Sequence, residues 1–389
     1  QARRPAATFR CRGSILVIVL ITLLFAAAAL VAFIDKAGTD LLIEARDSGM
    51  NRLRQDAYSA LEVTLAVLSE FQQVGGGLKS PAEGWNDPLG FAGWEPREGV
   101  TAEVSFEDES GKLSLPHVDA ATLKNLFKQW GLDETEGRRL TDALLGWMRK
   151  DYVSETLSEP DYDRAALPYA APLRSLRSFS ELAAIDEARK VFYDEQGRPN
   201  DLFNRFVTTF SLYDFKQTNI NGAPPDVLAA LGLLSDSQQK QLSNYLSGTG
   251  DRARMGPSFF DSTQQAAGIA GTNALANGFG TQISALRVNI TLHEGRTAFK
   301  LSAVVAPPNG ASIVTETAVS TKVADAGKTA ASASTAADTA GGATDAKSPP
   351  GSTGSAADAQ KLNYPFTLLE IRENAELSAV PPSPPEKPE

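Results

Sequence analysis

Residues whose types could do chemistry are few in this chain of 389, and their spacing fits no familiar reaction. Only two histidines occur, His117 and His293. His293-Glu294 opens like a zinc-protease helix, but no second histidine follows one turn later, so a zinc ion could not be gripped. No Gly-x-Ser-x-Gly elbow presents a nucleophilic serine. Gly327-Lys328-Thr329 resembles the end of a phosphate loop whose earlier glycine is missing. The single cysteine, Cys11, lies ahead of a long apolar run, so the body behind that run can form no internal disulfide. Zinc sites built from several cysteines are excluded for the same reason. These residues specify no catalytic group and no organic cofactor, and the chain reads as a protein that is not an enzyme.

Acidic clusters are the remaining chemistry. Glu107-Asp108-Glu109 and Glu159-Pro160-Asp161-Tyr162-Asp163 each gather carboxylates in a short polar stretch. Calcium favours several carboxylate and carbonyl oxygens, which makes Glu107, Asp108, Glu109, Glu159, Asp161 and Asp163 candidate ligands. The spacing of an EF-hand loop is absent, and solvated turns explain both clusters equally well. A further stretch, from Thr218 to Gly232, resembles the opening of a helix-hairpin-helix unit: prolines preset a first turn and Asp226 favours a helix start. Such units grip DNA phosphates elsewhere. Here five aspartates between Asp201 and Phe260 balance five lysines and arginines, and the usual hairpin glycine pair is reduced to Gly232. The formal net charge of −10 also repels a phosphate backbone, so no nucleic-acid partner is expected. A membrane-anchored DNA receptor remains the alternative reading.

Positioning these residues falls first to the N-terminal segment. From Ser14 to Ile34 no residue is charged, which as a helix makes roughly 30 Å of apolar rod, enough to cross a bilayer. Arg3, Arg4, Arg10 and Arg12 precede it and Asp35 and Asp40 follow, so the positive flank should stay cytoplasmic and the body be exported. Three readings compete: a plain signal anchor, a secretory signal cut near Ala26–Ala29, and a prepilin-type leader cut between Gly13 and Ser14. Beyond the span, Met50, Leu53, Ala57, Leu61, Leu65, Leu68 and Phe71 recur every three or four residues, one face of an amphipathic helix. No proline interrupts Ser14 to Ser80. Span and stripe could therefore form one rod of about 90 Å, if Gly38 and Gly49 do not break it. Alternatively, an anchor is followed by an ordinary core helix.

Strand patterns follow. Val100–Phe106 alternates and Leu113–Leu115 resumes after a polar turn, which predicts a hairpin. Ile283–Val305 holds two strands around His293-Glu294-Gly295-Arg296, Ile313–Val323 is rich in β-branched residues, and Phe366–Arg372 is a last candidate. Between the two strand regions the pattern is that of short helices needing mutual packing. Residues 118–280 thus read as an inserted helical domain of two small bundles, the second helix-hairpin-helix-like. The stretch 324–360 is too poor in large apolar residues to order itself, and 376–389 is a proline-rich tail.

Taken in order, Arg12-Gly13-Ser14 before an apolar helix, Asp108-Glu109-Ser110-Gly111-Lys112-Leu113, Ala143-Leu144-Leu145-Gly146-Trp147, Leu176-Arg177-Ser178-Phe179-Ser180-Glu181-Leu182 and the Asn219–Leu231 stretch resemble the minor pseudopilin K family of type II secretion systems. The resemblance implies an α+β, pilin-like fold: a long N-terminal helix packed on a small antiparallel sheet, with a large all-helical domain inserted between strands. On that pattern 1–13 is a leader, 14–34 the membrane part of the helix, 35–117 its lower half with the first strands, and 281–323 with 361–375 the remaining strands. It also implies cutting and methylation by a prepilin peptidase, which makes Ser14 the mature N-terminus and Ile18 its fifth residue. Most pseudopilins carry glutamate at that fifth position; the K subunits, like this chain, lack it. The implied role is to cap the tip of the pseudopilus and prime its assembly for export of folded proteins. Its implied partners are the minor pseudopilins I and J, with H, the major pseudopilin G, the peptidase and the inner-membrane secretion platform. The implied location is the bacterial inner membrane, crossed once, with the body in the periplasm.

Overall fold

A computed structural model describes residues 14–156, 169–232, 234–250, 253–272, 275, 278–314 and 365–374. Its first element, α1, runs unbroken over Ser14–Gly75, 62 residues or about 90 Å. Gly38 and Gly49 lie within it and do not break it. Gly76 and Gly77, both with positive φ, end it.

Only the lower half of α1 is covered. Leu53, Ala57, Ala60, Leu61, Val67 and Leu68 are buried against a four-stranded antiparallel sheet of order β1-β6-β7-β8. Those strands are β1 (Val100–Asp108), β6 (Leu286–Glu294), β7 (Thr297–Ala306) and β8 (Thr367–Glu373). Alternation assigns the faces. Leu286, Val288, Ile290 and Leu292 of β6, with Phe299, Leu301, Ala303 and Val305 of β7, meet α1, and each fully buried leucine contributes about 1.5–3 kcal/mol. At the end of α1, Pro88–Ala92 forms a short α2, and Trp85 packs edge-on to Phe106 at 4.9 Å. Arg54 and Tyr58 of α1 both bond Glu373, which ties β8 to the rod.

The expected hairpin between Val100–Phe106 and Leu113–Leu115 does not form. Asp108 instead caps a 3₁₀ turn over Glu109–Gly111, and the chain leaves the sheet. β2 (Leu113–Ser114) pairs in parallel with β3 (Phe210–Ser211), because Leu113 and Leu115 are buried in the helical body and not under α1. The partner of β1 is β6, antiparallel, with Val100 opposite Glu294 and Asp108 opposite Leu286.

Between β1 and β6 lies the helical insertion. Its helices are α3 (Ala120–Gln129), α4 (Glu134–Met148), α5 (Asp186–Phe192), α6 (Asp201–Thr209), α7 (Pro225–Gly232), α8 (Asp236–Ser247) and α9 (Thr263–Ala270). One apolar cluster runs through all of them, with Phe127, Leu144, Phe192, Phe206 and Phe260 fully buried. A second parallel pair, β4 (Thr218–Asn219) with β5 (Phe279–Gly280), closes the insertion where it returns to the sheet. Of the expected strand at Ile313–Val323, Ile313 and Val314 belong to no strand, although Ser312 pairs with Asp214, and 315–323 lie outside the described residues, as do the stretches 324–360 and 376–389.

Candidate functional site

Two features of this fold can meet other molecules or hold the molecule in shape: the upper rod, and the joint where the insertion leaves the sheet. In the rod, every large apolar side chain from Leu16 to Ile43 is exposed, Ile18 at 57% among them. The apolar window within this helix has a mean hydropathy of 3.1 and is wholly unburied, the profile of a membrane span. Leu41, Leu42 and Ile43 continue the exposed apolar surface past Asp35. Ser14 begins the described helix, while Gly13 lies outside the described residues.

At the joint, the carboxylates of Glu107 and Glu109 meet the same cations, while Asp108 turns to other partners. Glu109 is buried and lies 2.7 Å from Arg287 and 3.2 Å from Lys112. Lys112, also buried, reaches Glu107 at 2.6 Å. Burial alone would raise the Glu109 carboxyl, but the two cations outweigh it and hold it below its ordinary range. Burial would likewise lower Lys112; Glu109 and Glu107 overcome that and raise it. Arg287 also bonds Ser302 at 3.3 Å and lies 3.8 Å from Glu370, whose carboxylate accepts from the Tyr213 hydroxyl. Asp108 has a different environment. Its carboxylate accepts from the Ser110 amide at 2.9 Å, the Ser110 hydroxyl at 2.6 Å and the Asn219 amide at 2.7 Å. Burial without a cation pushes it up to about 6, although these bonds pull the other way.

Glu107 and Glu109 are thus spent on the same two cations, Lys112 and Arg287, and Asp108 on Ser110 and Asn219. Among the described residues no group of three or more His, Cys, Asp and Glu side chains could hold a metal ion. Glu159, Asp161 and Asp163 lie outside the described residues. The loop leading to them is gathered by Asp142 of α4, which accepts from the Tyr152 hydroxyl at 2.6 Å and from the Thr156 amide at 2.7 Å and hydroxyl at 2.6 Å.

The hairpin-like stretch is also committed internally. Asp226, in the first turn of α7, receives both Arg205 nitrogens at 2.7 Å and the Trp130 indole at 3.2 Å, with the Arg205 guanidinium 5.3 Å over the Trp130 ring. The positive end of α7 therefore faces a carboxylate already paired with a cation, not an open phosphate seat. His117 is exposed and pairs with Asp214 at 2.5 Å, while His293 sits exposed at the outer end of β6. Sequence reasoning missed Lys112, Arg287 and Arg205. Arg287 becomes visible only through the strand register, which sets it opposite Glu107.

Residues 107–195 match the family model described as Type II secretion system (T2SS), protein K. No curated protein matches the chain. Among solved structures it is similar to a chain of the GspK-GspI-GspJ complex from the enterotoxigenic Escherichia coli Type 2 Secretion System. That similarity has 13% identity and a TM-score of 0.48, over 70% of this chain and 96% of the other. The K-pseudopilin resemblance read from the motifs is thus supported by the family model, whose matched stretch holds three of them, starting at the joint. The chain is K-pseudopilin-like, with the long helix, antiparallel sheet and inserted helices expected of it.

Proposed function

We propose that this chain is a minor pseudopilin that caps the tip of a type II secretion pseudopilus and primes its assembly with the I and J subunits, for export of folded proteins. One observation carries the reading: the helical body docks at the end of α1 remote from the span. Ile283 donates to the Leu78 carbonyl at 2.6 Å, Asn219 donates to that of Lys79 at 2.9 Å, and Lys79 pairs with Asp261 at 2.7 Å. A neighbour stacked beyond that end would meet the helical body, whereas the sides of α1 from Leu16 to Ile43 are open to helices beside it. Bulk at one end leaves a terminal place, and open sides below leave room for partners.

The absence of glutamate at Ile18 agrees with that place. A carboxylate in the bilayer is costly unless a neighbour's terminal ammonium meets it, and a first subunit needs no such pairing. The role is structural and uses no catalytic residue; the prepilin peptidase acts on the Gly13–Ser14 bond, and the inner-membrane platform with H and G subunits builds the shaft below.

Light scattering of the body from about Asp40 onward, mixed with soluble I and J partners, should give a mass above that of any single chain. Monomers only at micromolar concentration, together with membrane crosslinks placing this subunit inside the shaft, would overturn the assignment. A DNA receptor would instead shift a DNA fragment in a low-salt gel, which the paired Asp226 argues against.

A further inference from the structure

The inserted body is joined to the sheet by two crossings of the chain, and glycines stand at both, Gly111 at the way out and Gly280 at the way back. Glycines at such crossings ordinarily give freedom of rotation. Here the surroundings remove it. A Cβ on Gly111 would lie 2.4 Å from the Gly222 carbonyl oxygen, and one on Gly222 would lie 2.3 Å from an Asp108 carboxylate oxygen. Gly111 thus meets the Gly222 backbone and Gly222 meets the Asp108 side chain, so neither position has room for a Cβ.

Over that contact sits Asn219, fully buried, with both the nitrogen and the oxygen of its side-chain amide hydrogen-bonded. Its amide donates to Asp108 at 2.7 Å and to the Lys79 carbonyl at 2.9 Å, and its own carbonyl accepts from the Asn221 amide at 3.1 Å. Asn221 in turn donates to the carbonyls of Phe260 and Thr281, both at 3.1 Å. One side chain therefore ties the end of β1, the segment after α1 and the first turn before α7. Large apolar clusters lie on either side and do not merge. A small third cluster, with Tyr213 and Phe215 against Ala285, Val304 and Ala306, lays the body on the far face of the sheet. Apolar contact is not directional and tolerates sliding; a hydrogen-bonded amide over a backbone contact does not.

We propose that Asn219, seated on the Gly111–Gly222 contact, is a latch that locks the helical body at one fixed angle to the α1 rod, so that the two move as a single rigid lever. It needs no partner to be identified, and it stands or falls apart from the tip assignment.

The test uses the full chain in detergent micelles, with Cys11→Ser and spin labels on Gln55→Cys of α1 and Lys240→Cys of α8, both exposed positions. Pulsed dipolar spectroscopy should give one narrow distance distribution. Gly222→Ala should shift its maximum or split it, Asn219→Ala should broaden it, and Gly268→Ala, where an added Cβ meets nothing within 4 Å, should leave it unchanged. If Gly222→Ala does not fold, Asn219→Ala decides, since it opens space and forces no clash. A broad distribution in the parent, or one unaltered by Asn219→Ala, overturns the latch.

Discussion

Replacing Arg287 by methionine tests whether the joint depends on its buried charges. Arg287 is 8% exposed, and its guanidinium is 2.7 Å from Glu109, itself 3% exposed. Methionine keeps much of the apolar stem and removes the charge, leaving Glu109 with Lys112 alone at 3.2 Å. Removing one partner of a buried pair strands the other and costs about 3–5 kcal/mol, against about 0–1 for an exposed pair. At about 2–4 °C per kcal/mol for a body of this size, the melting point should fall by roughly 10 °C. Lys190→Ala, which breaks the exposed Lys190–Glu187 pair, is the control and should shift it little. Calorimetry or circular dichroism of the body gives both numbers. The same contacts set a dependence on pH. The Glu109 carboxyl lies below its ordinary range when folded, so its contribution is present above the unfolded value and is lost as pH falls through the folded one. The deficit of Arg287→Met should therefore shrink in acid. A loss below about 1 kcal/mol at neutral pH would refute the account and place this cluster with ordinary surface pairs.

Asp108 has the opposite sign. Raised to about 6 in the folded state, it contributes stability that is complete below the unfolded carboxylate value and is lost as pH rises through about 6. The urea midpoint of the parent should lose that component between about pH 4 and pH 6, and Asp108→Asn should remove it. Mass analysis of the membrane-extracted protein should find a methylated N-terminus at Ser14. A start near Leu30 would favour a secretory signal, and a bulky residue in place of Gly13 should leave the leader attached. Arg205→Ala should lower the melting point by removing the bidentate partner of the half-buried Asp226, without creating affinity for DNA in a low-salt gel shift.

Much of this architecture was legible because it rests on periodicity. The stripe from Met50 to Phe71 is the face that packs on the sheet, and the alternation around His293 to Arg296 is the β6–β7 hairpin. The segment after β1 forms no hairpin because its burial is set by distant residues. Glu107 to Lys112 looks like any polar turn, and nothing local says that Glu109 and Lys112 are buried against an arginine nearly 180 residues away. Apolar spacing repeats within an element and can be counted, whereas an ion cluster is assembled from several elements and has no period. The same limit applied to Asn219. It stood inside a recognisable motif, but its task belongs to Asp108 and Lys79, on segments its own neighbourhood does not mention.

The joint and the bare rod bear on one another through energetics. An exposed apolar helix surface is tolerable in this chain only in a bilayer or against other helices. Contacts made there reach the helical body only if α1 and that body move together. Leu53 to Leu68 fix α1 to the sheet, and the sheet carries the joint at the end of β1, so the stiffness of the whole depends on its least apolar point. That point is held by fully bonded polar groups and two glycines in contact, an arrangement worth less in stability than an equal area of leucine yet more demanding of geometry. The tip role proposed above calls on the second property more than on the first.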